Sequence, residues 1–261
     1  MKNKKVLFLF VAVIVLCLST ALFAACNKND TPPPSGSSFK EGDVIVDKDE
    51  NTVTEKEYDE AGREVREISH VETLYNVTYL ANDASVIYLK GNKSDEMYVS
   101  GYDGVPKTLS VKDLESKISL EGNPIVVKGI TEEAFNGCET LTSVDLEKEN
   151  TNALTFAIGD QAFANCPNLA TVTLPTKVYM KSGSIGDGAF NNCESLTKVV
   201  IPDRFKTLGA YAFANCLKLE TVTFNEGVAK VPQGFLYGCE SLTSVTIPST
   251  VNYVGNEAFS G

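Results

Sequence analysis

The sequence predicts a repeat solenoid that is rich in β-structure, has short helical turns and begins with a β-hairpin-rich N-terminal cap. Two observations predict this fold. A unit of about 23 residues recurs from Ile130 to the last residue, and a unit of that length must stack on neighbours to bury a core. Within each unit, apolar residues two positions apart alternate with polar ones, as in a strand with one buried face. We therefore expect the strands of successive units to stack in a parallel ladder.

The N-terminal residues have the layout of an export signal. Three lysines follow Met1, an apolar run continues to about Leu18, and small residues come directly before Cys26. This is the layout of a secretory signal peptide, and residues 22–26 resemble the bacterial lipobox. We therefore expect residues 1–25 to be a lipoprotein signal peptide and Cys26 to be lipidated; an uncleaved anchor or an ordinary signal peptide is the alternative. All these interpretations place the rest of the chain outside the cytoplasm. In the preferred interpretation, the protein is a membrane-anchored lipoprotein on the cell surface.

The next segments predict a tether and a charged hairpin. Residues 26–39 are rich in Pro, Ser and Gly, which predicts a flexible linker. Residues 40–74 are acidic, with eleven acids against five bases between Lys40 and Glu67, and a turn signal at Gly62 predicts a hairpin. Residues 47–55 have the opening spacing of a calcium loop, but Thr52 stands where that loop needs glycine. We therefore expect a charged strand or loop here, without a calcium site.

The remaining chain divides into a cap and an array. Residues 75–128 contain short β-compatible runs separated by turns. A solenoid exposes the apolar face of its first coil unless another segment covers it, so we expect these residues to be the N-terminal cap and lead-in. Near residues 109–118, we expect the cap to continue into an atypical first coil of the solenoid. Residues 129–261 form the repeat array, with five units and a partial sixth.

One cysteine per unit sets the alignment of the repeats. These cysteines are Cys138, Cys166, Cys193, Cys216 and Cys239. They lie 28, 27, 23 and 23 residues apart, and both insertions fall after the strand, at residues 147–157 and 175–184, which predicts loops on one face. The residue before each cysteine is Gly or Asn, which predicts a left-handed residue ending a helical turn that carries Ala-Phe.

The repeated cysteines and phenylalanines are expected to be core. Stacked strands lie about 4.7–4.9 Å apart, which exceeds the Cβ separation that a disulfide needs. A straight file of thiols also cannot converge on a tetrahedral zinc ion. We therefore expect free, buried cysteines. The phenylalanines expected to form a core file are Phe135, Phe163, Phe190, Phe213 and Phe259.

Charge and composition exclude several classes of function. The net charge of −11 disfavours binding to nucleic acid. His70 is the single histidine and lies in the charged segment, so the repeats offer no histidine as a base for a hydrolase site. The sequence has no phosphate-binding loop and no paired zinc motif. We therefore expect no enzymatic activity, no cofactor and no metal.

The unit of residues 185–202 reads Ile-Gly-Asp-Gly-Ala-Phe-Asn-Asn-Cys-Glu-Ser-Leu-Thr-Lys-Val-Val-Ile-Pro. It resembles the BspA-type leucine-rich repeat of bacterial surface proteins, and the resemblance covers about residues 75–261. Departures are Pro232, Phe235-Leu236 and Asn225. The resemblance implies a leucine-rich-repeat-like parallel ladder and a binding function without shared catalytic residues, in adhesion to host proteins or other cells. Because the chain stops at Gly261 inside a unit, we expect either a fragment or a frayed last coil.

The outward strand positions are the candidate binding face. They are Ser143, Asp145, Thr171, Thr173, Lys198, Val200, Thr221, Thr223, Ser244 and Thr246. A flat face of small side chains suits a protein or glycan ligand on host or neighbouring cells, although threonine is also simply a good solvated strand residue. The insertion loops are a second candidate surface. The alternative functions are a structural spacer or stalk and a polysaccharide-capturing accessory module.

Overall fold

A computed structural model of the chain describes residues 44–58, 64–81, 86–92, 96–148, 155–176 and 180–261. The expected signal peptide, the lipidation site Cys26 and the linker of residues 26–39 lie outside these ranges. Across the ranges that are described, no helix is long and apolar enough to cross a bilayer.

The described chain begins with four antiparallel strands. They are β1 (Val44–Tyr58), β2 (Glu64–Leu80), β3 (Val86–Gly91) and β4 (Met97–Asp103). β1 and β2 form a long hairpin, with Val44 opposite Tyr79 and Glu57 opposite Arg66. Residues 47–55, which have the opening spacing of a calcium loop, thus lie in one continuous paired strand. The sharply turning loop of a calcium site is absent from this stretch.

A short connection leads from these strands into the repeats. It contains β5 (Thr108–Ser110), α1 (Val111–Lys117), β6 (Ser119–Leu120) and β7 (Asn123–Pro124). The Ser110 hydroxyl caps α1 by accepting a hydrogen bond from Asp113 N–H at 3.2 Å, which satisfies one of the free donors at the start of the helix. Val111 and Leu114 are buried, so they attach the helix to the core.

Each repeat contributes strands to two ladders. The first ladder contains β8 (Val127–Ile130), β10 (Thr155–Ile158), β12 (Ser182–Ile185), β14 (Phe205–Leu208), β16 (Lys230–Val231) and β18 (Tyr253–Val254). The second contains β9 (Ser143–Asp145), β11 (Thr171–Thr173), β13 (Lys198–Ile201), β15 (Thr221–Phe224) and β17 (Ser244–Thr246). The assignment of residues 147–157 and 175–184 wholly to loops is wrong, because β10 and β12 begin inside them.

Within the first ladder, β16 and β18 pair as a separate two-stranded sheet. The other four strands of this ladder and the N-terminal strands form one sheet. Its eight strands follow the order β1-β2-β3-β4-β8-β10-β12-β14, and the direction changes from antiparallel to parallel where Val99 pairs with Ile130. The strands of the second ladder, together with β5 of the connection, form two three-stranded parallel sheets, ordered β5-β9-β11 and β13-β15-β17. One continuous apolar core contains side chains from both ladders. The predicted β-rich solenoid with a parallel ladder is therefore confirmed.

The Ala-Phe segment of each unit forms consecutive tight turns rather than an α-helix. In the first unit, Asn136 N–H donates to Glu133 O at 3.0 Å. Cys138 N–H donates in the same way to Phe135 O at 3.0 Å, and such i→i−3 bonds are those of β-turns. The intervening N–H groups bond to the next unit, where Phe135 N–H donates to Ala162 O at 2.7 Å. The turns therefore also hold neighbouring units together.

Left-handed residues occur twice in each turn. The predicted one, before the cysteine, has a positive φ in every complete unit, from 56° at Asn165 to 74° at Gly137. A second lies four positions earlier and was not predicted. It is Glu133, Gln161, Gly188, Tyr211, Gly234 or Glu257, with φ between 53° and 60°. Four of these six are not glycine, although a left-handed conformation costs other residues about 1–2 kcal/mol.

Glycine after the first-ladder strand permits close approach of consecutive units. A Cβ atom on Gly186 would lie 2.5 Å from Asp160 N, and one on Gly209 would lie 2.2 Å from Gly186 C. Both separations are too short for non-bonded atoms, so a larger residue would push the units apart. The repeated Ile-Gly pair thus sets the spacing of the turns.

A column of aromatic rings runs along the core. Centroids of neighbouring rings from Phe135 to Phe213 are 5.0–5.3 Å apart, with interplanar angles of 8–14°. Tyr102 extends the column towards the N-terminus by stacking on Phe135 at 5.2 Å. The assignment of Phe259 to the core is wrong, because this residue is 38% exposed. Phe235, fully buried and edge-on to Phe213, ends the buried column.

Candidate functional site

Side chains alternate between core and solvent along the second ladder. In β13, Val199 is 1% exposed, whereas Lys198 is exposed and Val200 is half-buried. In β15, Val222 is 2% exposed, whereas the flanking Thr221 is exposed. The expected inward and outward positions are therefore present in these strands, and they leave an outer face that we call the hydroxyl face.

The strand register places the candidate residues of the hydroxyl face in two rows. The rows are Lys198, Thr221 and Ser244, and Val200, Thr223 and Thr246. Strands lie about 4.7–4.9 Å apart, so equivalent side chains repeat at about that spacing. These six predicted residues are thus brought together on β13, β15 and β17. Whether they bind a ligand stays a prediction.

Two further candidate residues lie on the neighbouring three-stranded sheet. Thr171 pairs with Ser143 and Thr173 pairs with Asp145 in the sheet formed by β5, β9 and β11. β11 does not pair with β13, and Val172 in β11 is half-buried where the equivalent Val199 is buried. The hydrogen-bonded ladder is therefore interrupted between these strands, although they remain neighbours in the solenoid. The repeat pattern did not predict this interruption.

The side chains of the hydroxyl face are suited to hydrogen bonding. Serine and threonine hydroxyls both donate and accept hydrogen bonds, and their short side chains lose little rotamer entropy when a partner covers them. Lys198 is the one charged side chain in the two rows, so no acid–base pair is positioned there. Across the described segments, no group of three His, Cys, Asp or Glu residues is placed to hold a metal ion.

The insertion loops contact one another at their described ends. Thr176 N–H and the Thr176 hydroxyl both donate to Glu147 Oε1, at 3.0 Å and 2.5 Å. This contact links the loop after β9 to the loop after β11. Residues 149–154 and 177–179 lie outside the described residues, so the insertion loops remain a predicted second binding surface.

A buried ion pair joins the first insertion to the lead-in. Lys148 Nζ lies 3.1 Å from Glu115 Oε1, and the two side chains are 5% and 3% exposed. Both groups also bond to the backbone of Val127: Lys148 donates to its carbonyl, and its N–H donates to Glu115 at 2.9 Å. The Phe156 ring centroid lies 5.5 Å from Lys148 Nζ. Burial lowers the pKa of Lys148, and the charge of Glu115 opposes that shift.

The cysteine file is buried and free of disulfides, as predicted. Each thiol from the second unit onward donates to the carbonyl of the phenylalanine one unit earlier, as Cys166 Sγ does to Phe135 O at 3.1 Å. Burial raises the pKa of the thiols of Cys166 and Cys193, and that of Cys239 to about 11. Because the thiolate is the reactive form, these cysteines are structural groups rather than nucleophiles.

Comparison with known proteins defines the family. A family model described as the BspA type leucine rich repeat region matches six copies, over residues 115–182 and 156–261. These stretches together cover more than half of the chain. No curated protein gave a significant match.

Several solved structures of leucine-rich repeat proteins are similar to this chain, at low sequence identity. A leucine-rich repeat protein from Bacteroides ovatus is 22% identical, with a TM-score of 0.46 over 67% of this chain and 49% of that one. The leucine-rich repeat protein of T. pallidum is 24% identical, with a TM-score of 0.44 over 68% and 82%. A leucine-rich cell surface protein from Faecalibacterium prausnitzii is 21% identical, with a TM-score of 0.47 over 70% and 51%.

The chain thus spans about half the length of the B. ovatus and F. prausnitzii structures that it matches. The family assignment rests on the match of the repeats to the family model. The same residues form the solenoid: the match begins in α1 and continues through every repeat to Gly261. The chain belongs to the BspA-type leucine-rich repeat family.

Proposed function

We propose that the protein is an extracytoplasmic lipoprotein of a bacterial cell surface that binds a macromolecule through the hydroxyl face and catalyses no reaction. The bound partner is a protein of a host or of another cell, so the function is adhesion. The observation that supports this most directly is the pair of in-register rows on β13, β15 and β17. Extended surfaces of this kind are what stacked-repeat proteins use for binding.

Two lysines introduced on the hydroxyl face test the proposed binding surface. We expect the double variant Thr221→Lys/Thr223→Lys to bind its partner at least tenfold more weakly, because bulk and charge are placed where a flat partner must approach. A lysine already lies beside Thr221 in its row, at position 198, so the outer face of the sheet should tolerate lysine side chains. The measurement is pull-down and quantitative binding of host matrix proteins and intact cells.

The matched control is Thr207→Lys, an exposed threonine on β14 of the first ladder. Its binding should equal that of the wild type. Unchanged binding by the double variant would exclude the hydroxyl face, and loss of binding by the control would show a general charge effect. If the wild-type chain binds no matrix protein and no cell, a spacer or stalk becomes the better function; capture of polysaccharide alone favours the accessory module.

The proposed anchor is tested separately at Cys26. The small residues before this cysteine support lipidation, because the lipobox pattern places the modified cysteine directly after them. We expect Cys26→Ser to abolish incorporation of a labelled fatty acid and to release the protein from the membrane fraction. Unchanged labelling and membrane association in this variant would contradict the lipoprotein assignment. Because the change lies outside the solenoid residues, binding by the released protein should be preserved.

A further inference from the structure

Two tyrosines interrupt the repeat pattern on the edge formed by the Ala-Phe turns. The ring centroids of Tyr211 and Tyr237 lie 6.4 Å apart at an interplanar angle of 73°. Tyr237 is 41% exposed, and Tyr211 is half-buried. We call this pair the tyrosine platform. It lies on the turns and not on the strands of the hydroxyl face.

Neither tyrosine belongs to the repeated scaffold. The residues equivalent to Tyr211 in the other units are Glu133, Gln161, Gly188, Gly234 and Glu257. The residues equivalent to Tyr237 are Asn136, Ala164, Asn191, Ala214 and Ser260. No equivalent position carries an aromatic residue, so the turn folds without one. The two rings are therefore an addition to the scaffold that the fold does not require.

Tyr211 is held in place at an energetic cost. Its φ is 55°, and this left-handed conformation costs a side chain with a Cβ about 1–2 kcal/mol. The ring lies against Gly234, where a Cβ atom would come within 2.1 Å of Tyr211 Cε1. Gln233 Nε2 donates a hydrogen bond to the Tyr211 hydroxyl at 2.9 Å. The same φ recurs at the equivalent residue of every unit, so the conformation belongs to the scaffold, whereas the two contacts of the ring fix it in advance of binding.

We propose that the tyrosine platform binds a neutral carbohydrate, as one exposed sugar ring of a longer glycan. The face of an aromatic ring carries partial negative charge, which attracts the weakly positive C–H groups on one side of a pyranose. The two phenol hydroxyls and the Gln233 amide can exchange hydrogen bonds with sugar hydroxyls. None of these three side chains carries a formal charge, so the platform offers no selective attraction for a charged sugar. This site is independent of the proposed function of the hydroxyl face.

The repeat itself supplies variants that remove the platform without disturbing the fold. Tyr211→Gly introduces the residue that occupies the same left-handed position at Gly188 and Gly234. Tyr237→Ala introduces the residue found at Ala164 and Ala214. The matched control is Gln161→Gly, which makes the same backbone change two units earlier, away from the platform.

The test is titration calorimetry of the full chain with neutral hexasaccharides built from β-1,4-linked glucose, mannose or N-acetylglucosamine. A hexasaccharide of hyaluronan serves as the acidic comparison. We expect at least one neutral oligosaccharide to bind, and each tyrosine variant to bind it at least tenfold more weakly with an unchanged circular dichroism spectrum. Gln161→Gly should bind as the wild type does.

Three outcomes would overturn the proposal. They are no binding of any neutral oligosaccharide, equal binding by Tyr211→Gly/Tyr237→Ala and the wild type, and tighter binding of hyaluronan than of every neutral probe. If the double variant instead loses binding to a protein and the sugars never bind, the platform belongs to a protein interface. Unchanged partner binding by Thr221→Lys/Thr223→Lys would leave the oligosaccharide result unaffected, because those threonines lie on the second ladder and not on the turns.

Discussion

Replacing Phe190 by alanine is expected to lower the free energy of unfolding by about 3–5 kcal/mol. Phe190 is fully buried and stacks on Phe163 at 5.2 Å and on Phe213 at 5.0 Å. The variant therefore leaves a cavity in the middle of the aromatic column and removes two stacking contacts. Because neighbouring units hold one another through this column, the loss should affect the whole array. Equilibrium denaturation with urea, followed by circular dichroism, measures it.

The matched control is Phe259→Ala at the equivalent position of the last turn. Phe259 is 38% exposed, so its replacement should cost less than about 1 kcal/mol. Equal losses for the two variants would show that the column does not carry the stability assigned to it. A small loss at Phe190 would mean that the surrounding side chains collapse into the cavity.

Replacing Lys148 by methionine is expected to lower the free energy of unfolding by about 3–5 kcal/mol, because Glu115 is then left buried without its counter-charge. The double variant Lys148→Met/Glu115→Gln should recover most of this loss. Its glutamine can still accept the hydrogen bond of Val127 N–H, and no buried charge remains. Urea denaturation of the single and double variants measures both effects.

The comparison of these variants distinguishes a buried pair from an ordinary surface contact. Exposed ion pairs contribute about 0–1 kcal/mol, so a loss in that range for Lys148→Met would contradict the buried arrangement. A double variant as unstable as the single one would show that Lys148 acts through its own packing on Phe156 rather than through the charge of Glu115.

The repeat made most of the array predictable. The Gly or Asn before each cysteine revealed a left-handed residue because few other residues tolerate that conformation. The second left-handed position carries Glu, Gln or Tyr in four units, at residues 133, 161, 211 and 257, and these residue types do not reveal it. Tertiary contacts between stacked turns impose the conformation there, as when Gln161 N–H donates to Asp187 O at 2.9 Å.

The first ladder and the buried ion pair were harder to predict from the sequence, for two different physical reasons. β12 contains Ser182, Gly183 and Ser184, which have low strand preference, and it forms because β10 and β14 pair with it on both sides. Lys148 follows an acidic residue in a charged stretch, a context typical of solvated loops. Its burial depends on a partner 33 positions away in α1, at Glu115, which local sequence cannot indicate.

The sequence likewise indicates some features of the candidate site and not others. The alternation along β13 and β15 followed from the period of the strand, since residues two apart share a face. The separation of Thr171 and Thr173 from the other rows depends on which strands pair, and a uniform repeat does not predict that break. The tyrosine platform occupies positions at which the residue varies from unit to unit, so the repeat pattern does not indicate it.

We propose that the repeated positions carry the stability of the solenoid and that the variable positions carry its binding. The most direct test measures both unfolding and partner binding on Phe190→Ala and on Thr221→Lys/Thr223→Lys. We predict that the core variant loses stability but binds the partner normally while folded, and that the surface variant keeps its stability and loses at least tenfold in affinity. A surface variant that is as unstable as the core variant, or a folded core variant that no longer binds, would contradict this account.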